Sequence, residues 1–163
     1  MKRILISTLV VLVLLFAMAL PAAAVDEQST TASVTVGEVV SITLSGGIAF
    51  GSITPPVTAQ GTTGQTEPNP AITITVAPET NINVDISIMG AIVTGSDLAL
   101  SNWLYSTLFD KSDIDGLTVS YVEVYDNVAA SSINAFYHWI TLPGGTPAGS
   151  HTVTVSYKAA THS

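Results

Sequence analysis

Ile72-Thr73-Ile74-Thr75-Val76-Ala77-Pro78-Glu79-Thr80-Asn81-Ile82-Asn83-Val84-Asp85-Ile86-Ser87-Ile88 decides the fold class of this 163-residue chain. Ile72, Ile74 and Val76 precede the Pro78-Glu79-Thr80 break, and Ile82, Val84, Ile86 and Ile88 follow it, with polar residues at most positions between them. Successive side chains of an extended strand point to opposite faces, so a period of two describes a strand with one buried and one wet face. The two runs read as neighbouring antiparallel strands joined through the proline-containing break.

The same rhythm extends in both directions. Ala32, Val34, Val36, Val40, Ile42 and Leu44 are apolar, while Ser33, Thr35, Ser41 and Thr43 are polar. A single strand of that length would be about twice the usual five or six residues, and Gly37 sits where a bend is cheapest, so two strands are expected. Leu117 to Tyr121, Ile133 to Leu142 and Thr152 to Tyr157 supply further strands. The sum, about seven or eight, predicts an all-β fold: a single jelly-roll or immunoglobulin-like β-sandwich. Thr54 to Pro70, with Pro55, Pro56, Pro68 and Pro70, reads as a long connector. Leu100, Leu104 and Leu108 recur at helical spacing, which predicts a short helix within Asp97 to Phe109, capped by Ser96 or Asp97.

Ahead of the strands, residues 1–24 have the form of a signal peptide. Lys2 and Arg3 precede the apolar run Ile4 to Leu20, and Pro21-Ala22-Ala23-Ala24 is a small-residue exit that fits cleavage between Ala24 and Val25. Export to the extracellular space is the expectation, with residues 25–36 as an N-terminal segment and 37–163 as the sandwich domain. No membrane association is expected once the leader is removed.

Charge and cysteine content narrow the function. Without Lys2 and Arg3, only Lys111 and Lys158 oppose all 12 carboxylates, a formal charge near −10. That surface repels phosphate backbones and anionic lipid headgroups, so nucleic acid and membrane-surface partners are disfavoured. With no cysteine, an exported chain has neither a disulfide framework nor thiol chemistry, and it must draw stability from packing, hydrogen bonds or neighbouring subunits.

Candidate chemistry is sparse. Asp110, Asp113 and Asp115, followed by Gly116, offer hard oxygen ligands that suit Ca²⁺, but the spacing is not that of an EF-hand loop, and an Asx-rich turn accounts for the same residues. His138, His151 and His162 lie far apart with no His-Glu-x-x-His run, so no zinc site and no cofactor is expected. No Gly-x-Ser-x-Gly elbow surrounds any serine. An enzyme is not expected, since a secreted hydrolase would need a cleft gathering Asp or Glu with His. Aromatic residues crowd the second half, where Tyr137 or Trp139, if exposed, could stack on sugar rings; core filling is the commoner use of such side chains.

The N-terminal run carries two structural readings. Ala32 to Val36 can stay at home as an edge strand of its own sandwich. Alternatively, the polar tether Asp26 to Thr31 lets it reach the next subunit and complete a sheet there, a head-to-tail contact that builds a fibre instead of a closed ring. Periodicity alone does not separate them.

The mature chain resembles the TasA/camelysin-type fibre proteins and the related archaeal bundling pilins. The likeness rests on the leader ending Ala22-Ala23-Ala24, the early strand Ser33 to Val36, Ile48-Ala49-Phe50-Gly51-Ser52-Ile53-Thr54-Pro55, Asn81-Ile82-Asn83-Val84-Asp85, and the closing strand Pro147-Ala148-Gly149-Ser150-His151-Thr152-Val153-Thr154-Val155. The resemblance implies a sandwich that polymerises by donor-strand complementation into pili or biofilm matrix fibres. It assigns the donor role to Thr30, Thr31, Ala32, Ser33, Val34, Thr35 and Val36. The expectation is therefore a non-enzymatic, extracellular filament subunit whose partner is itself, with lateral bundling favoured by salt or divalent cations that screen its negative charge. The alternative is a secreted adhesin or carbohydrate-binding β-sandwich module.

Overall fold

The computed structural model describes residues 31–163. The chain divides into residues 1–36 and residues 37–163. In the first unit the described residues 31–36 form no strand, and Val34 and Val36 are exposed. The second unit is a two-sheet antiparallel β-sandwich.

Nine strands build it: β1 (Ile42–Gly46), β2 (Val57–Gly61), β3 (Ile72–Val76), β4 (Val84–Ile92), β5 (Trp103–Ser106), β6 (Asp115–Gly116), β7 (Val122–Val128), β8 (Ile133–Leu142) and β9 (Val153–Thr161). One sheet runs β1-β3-β8-β5-β6, with β2 also paired to β8, and the other runs β7-β4-β9. The core between the sheets is filled by Ile72, Ile74 and Val76 of β3, Val84, Ile86 and Ile88 of β4, and Phe136, Ile140 and Leu142 of β8. Burying each such side chain contributes about 1.5–3 kcal/mol relative to leaving it in water.

The all-β expectation holds, and the two runs that suggested it are strands β3 and β4. Their pairing does not hold. β3 lies between β1 and β8, while β4 lies between β7 and β9 in the opposite sheet. Strands facing each other across a core and strands side by side in one sheet bury the same parity of residues, so alternation cannot distinguish the two arrangements.

Four other segments depart from expectation for identifiable reasons. Of Ala32 to Leu44, only Ile42 onward is a strand. Just before it the side chain of Asn81 takes the place of a ladder, its Oδ1 accepting from Val39 N at 2.8 Å and its Nδ2 donating to the Gly37 carbonyl at 2.9 Å. The connector Thr54 to Pro70 contains β2, whose register on β8 shifts between Val57 and Gln60 around Ala59, held at φ 47°. The expected helix within Asp97 to Phe109 is a single 3₁₀ turn, Leu100–Asn102, followed by β5. In β5 the buried hydrophobic residues are Trp103 and Tyr105, two apart, and strand pairing to β8 captures them. Finally, Leu117 to Tyr121 crosses between sheets: Leu117 N donates to the Trp103 carbonyl of one, and the Thr118 carbonyl accepts from Gly90 N of the other. Neither sheet extends its ladder through this crossing. Leu117 and Leu100 close over Gly90, where a Cβ would stand 2.8 Å from Leu100 Cδ1 and 3.0 Å from Leu117 Cβ.

β8 is buried on both faces. Phe136, Ile140 and Leu142 enter the main core, and the intervening Tyr137 and Trp139 join Ala59 in a second cluster flanked by Leu104, Ile114 and Ala135. Phe109 covers that cluster edge-on to Tyr137, ring centroids 5.4 Å apart.

Candidate functional site

The sandwich is less complete along one side. β9 pairs with β4 alone and β1 with β3 alone, which makes each the margin of its sheet. Between these margins runs a groove of about 1090 Å³. Val153, Val155 and Tyr157 of β9 form one wall, and Leu44 of β1 with Phe50 and Ile53 from the following loop form the other. Alternation along β9 explains the first wall: Val153, Val155 and Tyr157 share the inward face with Ile86 and Ile88 of β4 but stay only half-buried, because no strand lies beyond them.

Polar groups share the lining with these apolar side chains. Trp103 and His151 both line the groove, and Trp103 Nε1 and His151 Nδ1 are buried nitrogens without a hydrogen-bond partner among the described residues. The Tyr157 hydroxyl lies 2.7 Å from His138 Nε2, tying β9 to β8 across the core. Burial pushes the His138 imidazole down to about 4, a shift partly opposed by its hydrogen bond to the Leu104 backbone, and burial pushes the Tyr157 phenol up. His138 is thus neutral at ordinary pH, with its ring enclosed on both sides, and serves as a tie between the sheets.

The sequence-derived candidates fall as follows. Cleavage residues Ala24 and Val25, and Thr30 at the start of the donor segment, lie outside the described residues. Thr31, Ala32, Ser33, Val34, Thr35 and Val36 are all exposed. Asp110, Asp113 and Asp115 do not converge. Asp110 Oδ1 accepts from Ser112 N at 2.8 Å, an Asx turn whose hydrogen bond holds the carboxyl below the usual range, while Asp115 pairs with Tyr105 in β6. Tyr137 and Trp139 are buried at 6% and 1% exposure, so neither offers the sugar-stacking platform that a carbohydrate-binding module would need.

One constellation had no counterpart in the sequence reading. Asp85, Asp126 and His162 bring their side chains together, with His162 Nδ1 at 2.8 Å from Asp85 Oδ1 and 3.0 Å from Asp126 Oδ1. The Asn127 backbone N–H, then His162, lower the Asp85 carboxyl, and Asp85 in turn raises His162. Asp85 and His162 stand 77 positions apart, and only the antiparallel register of β4 and β9 joins them.

A scan against protein-family models matches none, and searches of curated proteins and of solved structures return no significant match.

Proposed function

We propose that this protein is the exported, non-enzymatic subunit of an extracellular filament, in which residues 30–36 of one copy fill the groove beside β9 of the next. The observation that carries the reading is that groove, which exposes apolar side chains of both sheets and is bordered by a strand with an unpaired edge. Its occupant is an extended segment with apolar residues at every second position. Ala32, Val34 and Val36 have that spacing, and Val34 and Val36 are 86% and 75% exposed in the isolated chain. An extended run of seven residues spans about 23 Å, which fits within the length of the nine-residue β9. The segment carries no charge, so inserting it buries no ion between the sheets. An added strand also supplies carbonyl and N–H groups at a margin where backbone groups and the nitrogens of Trp103 and His151 want partners.

Donor and acceptor are different surfaces of one chain, so each added copy exposes a fresh groove and the assembly remains open-ended. Deleting residues 30–36 tests this. The deletion variant is expected to elute as a soluble monomer and to form no fibres by negative-stain electron microscopy, whereas the parent chain polymerises. Fibres of unchanged appearance from the deletion variant would overturn the proposal.

A further inference from the structure

The outward face of the three-stranded sheet holds a group of residues unrelated to the groove. Asp85 comes from β4, Asp126 from β7 and His162 from the position just after β9, so the group spans the width of the sheet. Among the described residues, theirs are the ligand atoms that gather within 4.8 Å of one another. Their convergence depends on backbone features outside the regular ladder. In β7 the register against β4 shifts between Val84 and Ile86: Val84 faces Val128, but Ile86 faces Tyr125, leaving both Asp126 and Asn127 opposite Asp85. Asn127, at φ 55°, takes up the extra residue, and its N–H donates to Asp85 Oδ1 at 3.0 Å. Such a bulge re-aims a side chain that a regular strand would point elsewhere. On the other flank His162 N donates to the Asn83 carbonyl at 2.9 Å, which holds the imidazole beside β4.

We infer that Asp85, Asp126 and His162 form a binding site for a divalent transition-metal ion. One fact of geometry favours a cation over a simple ion pair, and a second is compatible with it. The single ring nitrogen Nδ1 faces two carboxylate oxygens at once, at 2.8 and 3.0 Å, and a lone N–H proton makes one linear hydrogen bond, not two. Ligands bound at about 2.1 Å and at the right angles of octahedral coordination stand about 3.0 Å apart, close to the 2.8 and 3.0 Å observed from Nδ1 to the two oxygens. The donor set and the right angles select the class of ion: an imidazole with two carboxylates suits Co²⁺, Mn²⁺ or Ni²⁺, whereas Ca²⁺ asks for oxygen alone and more of it. The hydrogen bond from Asn127 to Asp85 orients a ligand as outer-shell groups do in metal sites. Asp126 is 68% exposed, so the remaining coordination positions open to water.

Titration of the purified protein with Co²⁺, followed by visible absorption and calorimetry, tests the site. The expected result is one equivalent bound with a ligand-field spectrum, and at least a tenfold loss of affinity in each of Asp85→Asn, Asp126→Asn and His162→Gln. Asp126→Asn changes an exposed side chain, so its effect on binding is separable from any effect on folding. Stoichiometric Co²⁺ binding that persists unweakened in His162→Gln, failure to bind Co²⁺ at millimolar concentration, or Ca²⁺ binding as tight as Co²⁺ binding would each overturn the assignment.

Discussion

β8 and β9 are both long strands rich in valine, isoleucine or aromatic residues, yet they hold opposite positions in the fold. β8 has neighbours on both edges and buried side chains on both faces, including Phe136 at 0% and Trp139 at 1% exposure. β9 has one neighbour, β4, and its inward residues Val153, Val155 and Tyr157 remain half-buried over the groove. The contrast teaches that apolar content alone does not locate the core: a strand is buried to the extent that something lies beyond it. Truncation should expose the difference most strongly. Phe136→Ala is expected to cost about 3–5 kcal/mol, the usual range for emptying a fully enclosed aromatic site. Chemical denaturation of the variant measures this, and a loss below about 1 kcal/mol would mean that β8 is not the centre of the packing.

The link between the two strands gives the next largest effect, and its sign follows from the His138 shift. The unfolded chain takes up a proton near the ordinary imidazole value of 6.5, whereas the folded chain refuses it until about pH 4. Between those values the unfolded state binds more protons, so stability rises with pH. The contribution is complete above 6.5 and is lost as pH falls through the window toward 4, an amount of about 3 kcal/mol for a site this enclosed. Denaturation midpoints of the parent at pH 7 and pH 4.5, set beside those of His138→Gln, isolate it. The variant should lack this component of the acid destabilisation, and identical pH profiles would show that the buried imidazole is not its source.

How far the sequence reveals this contrast depends on the range of the signal. Period-two alternation marks β3, β4 and β9 because one face of each is wet, and the mixed run of β8, in which Phe136, Tyr137, Trp139 and Ile140 put large apolar side chains at both parities, fits a strand covered on both faces. Sheet membership is not encoded in parity, which is why β3 and β4 could be placed in one sheet when they face each other from two. β5 was hidden by a leucine spacing that mimics a helix, although the alternation of Trp103 and Tyr105 was present beneath it. The groove is partly legible, in that Val153, Val155 and Tyr157 align on one side, but the missing neighbour is a property of topology. The Asp85, Asp126 and His162 group is not legible at all, since a bulge in β7 and the pairing of β4 with β9 bring together residues that share no local pattern.

The smallest effect on the isolated subunit is also the one that most sharpens the comparison. Val155 is half-buried along the groove, so exchanging one methyl for a hydroxyl in Val155→Thr keeps its shape and β preference and should change the stability of the monomer by no more than about 1 kcal/mol. In a filament built as proposed, the same side chain is covered by the inserted segment, and its hydroxyl must be buried there with no assured partner. A penalty of about 1.4 kcal/mol in that state corresponds to a tenfold rise in the concentration needed to polymerise. Sedimentation of the assembled fraction across a concentration series reads this directly. The expected result is a near-parental unfolding curve together with a clear rise in the critical concentration. If Val155→Thr left polymerisation unchanged, the β9 face of the groove would not be where the incoming strand lies, even though β9 would keep its half-buried character within the subunit.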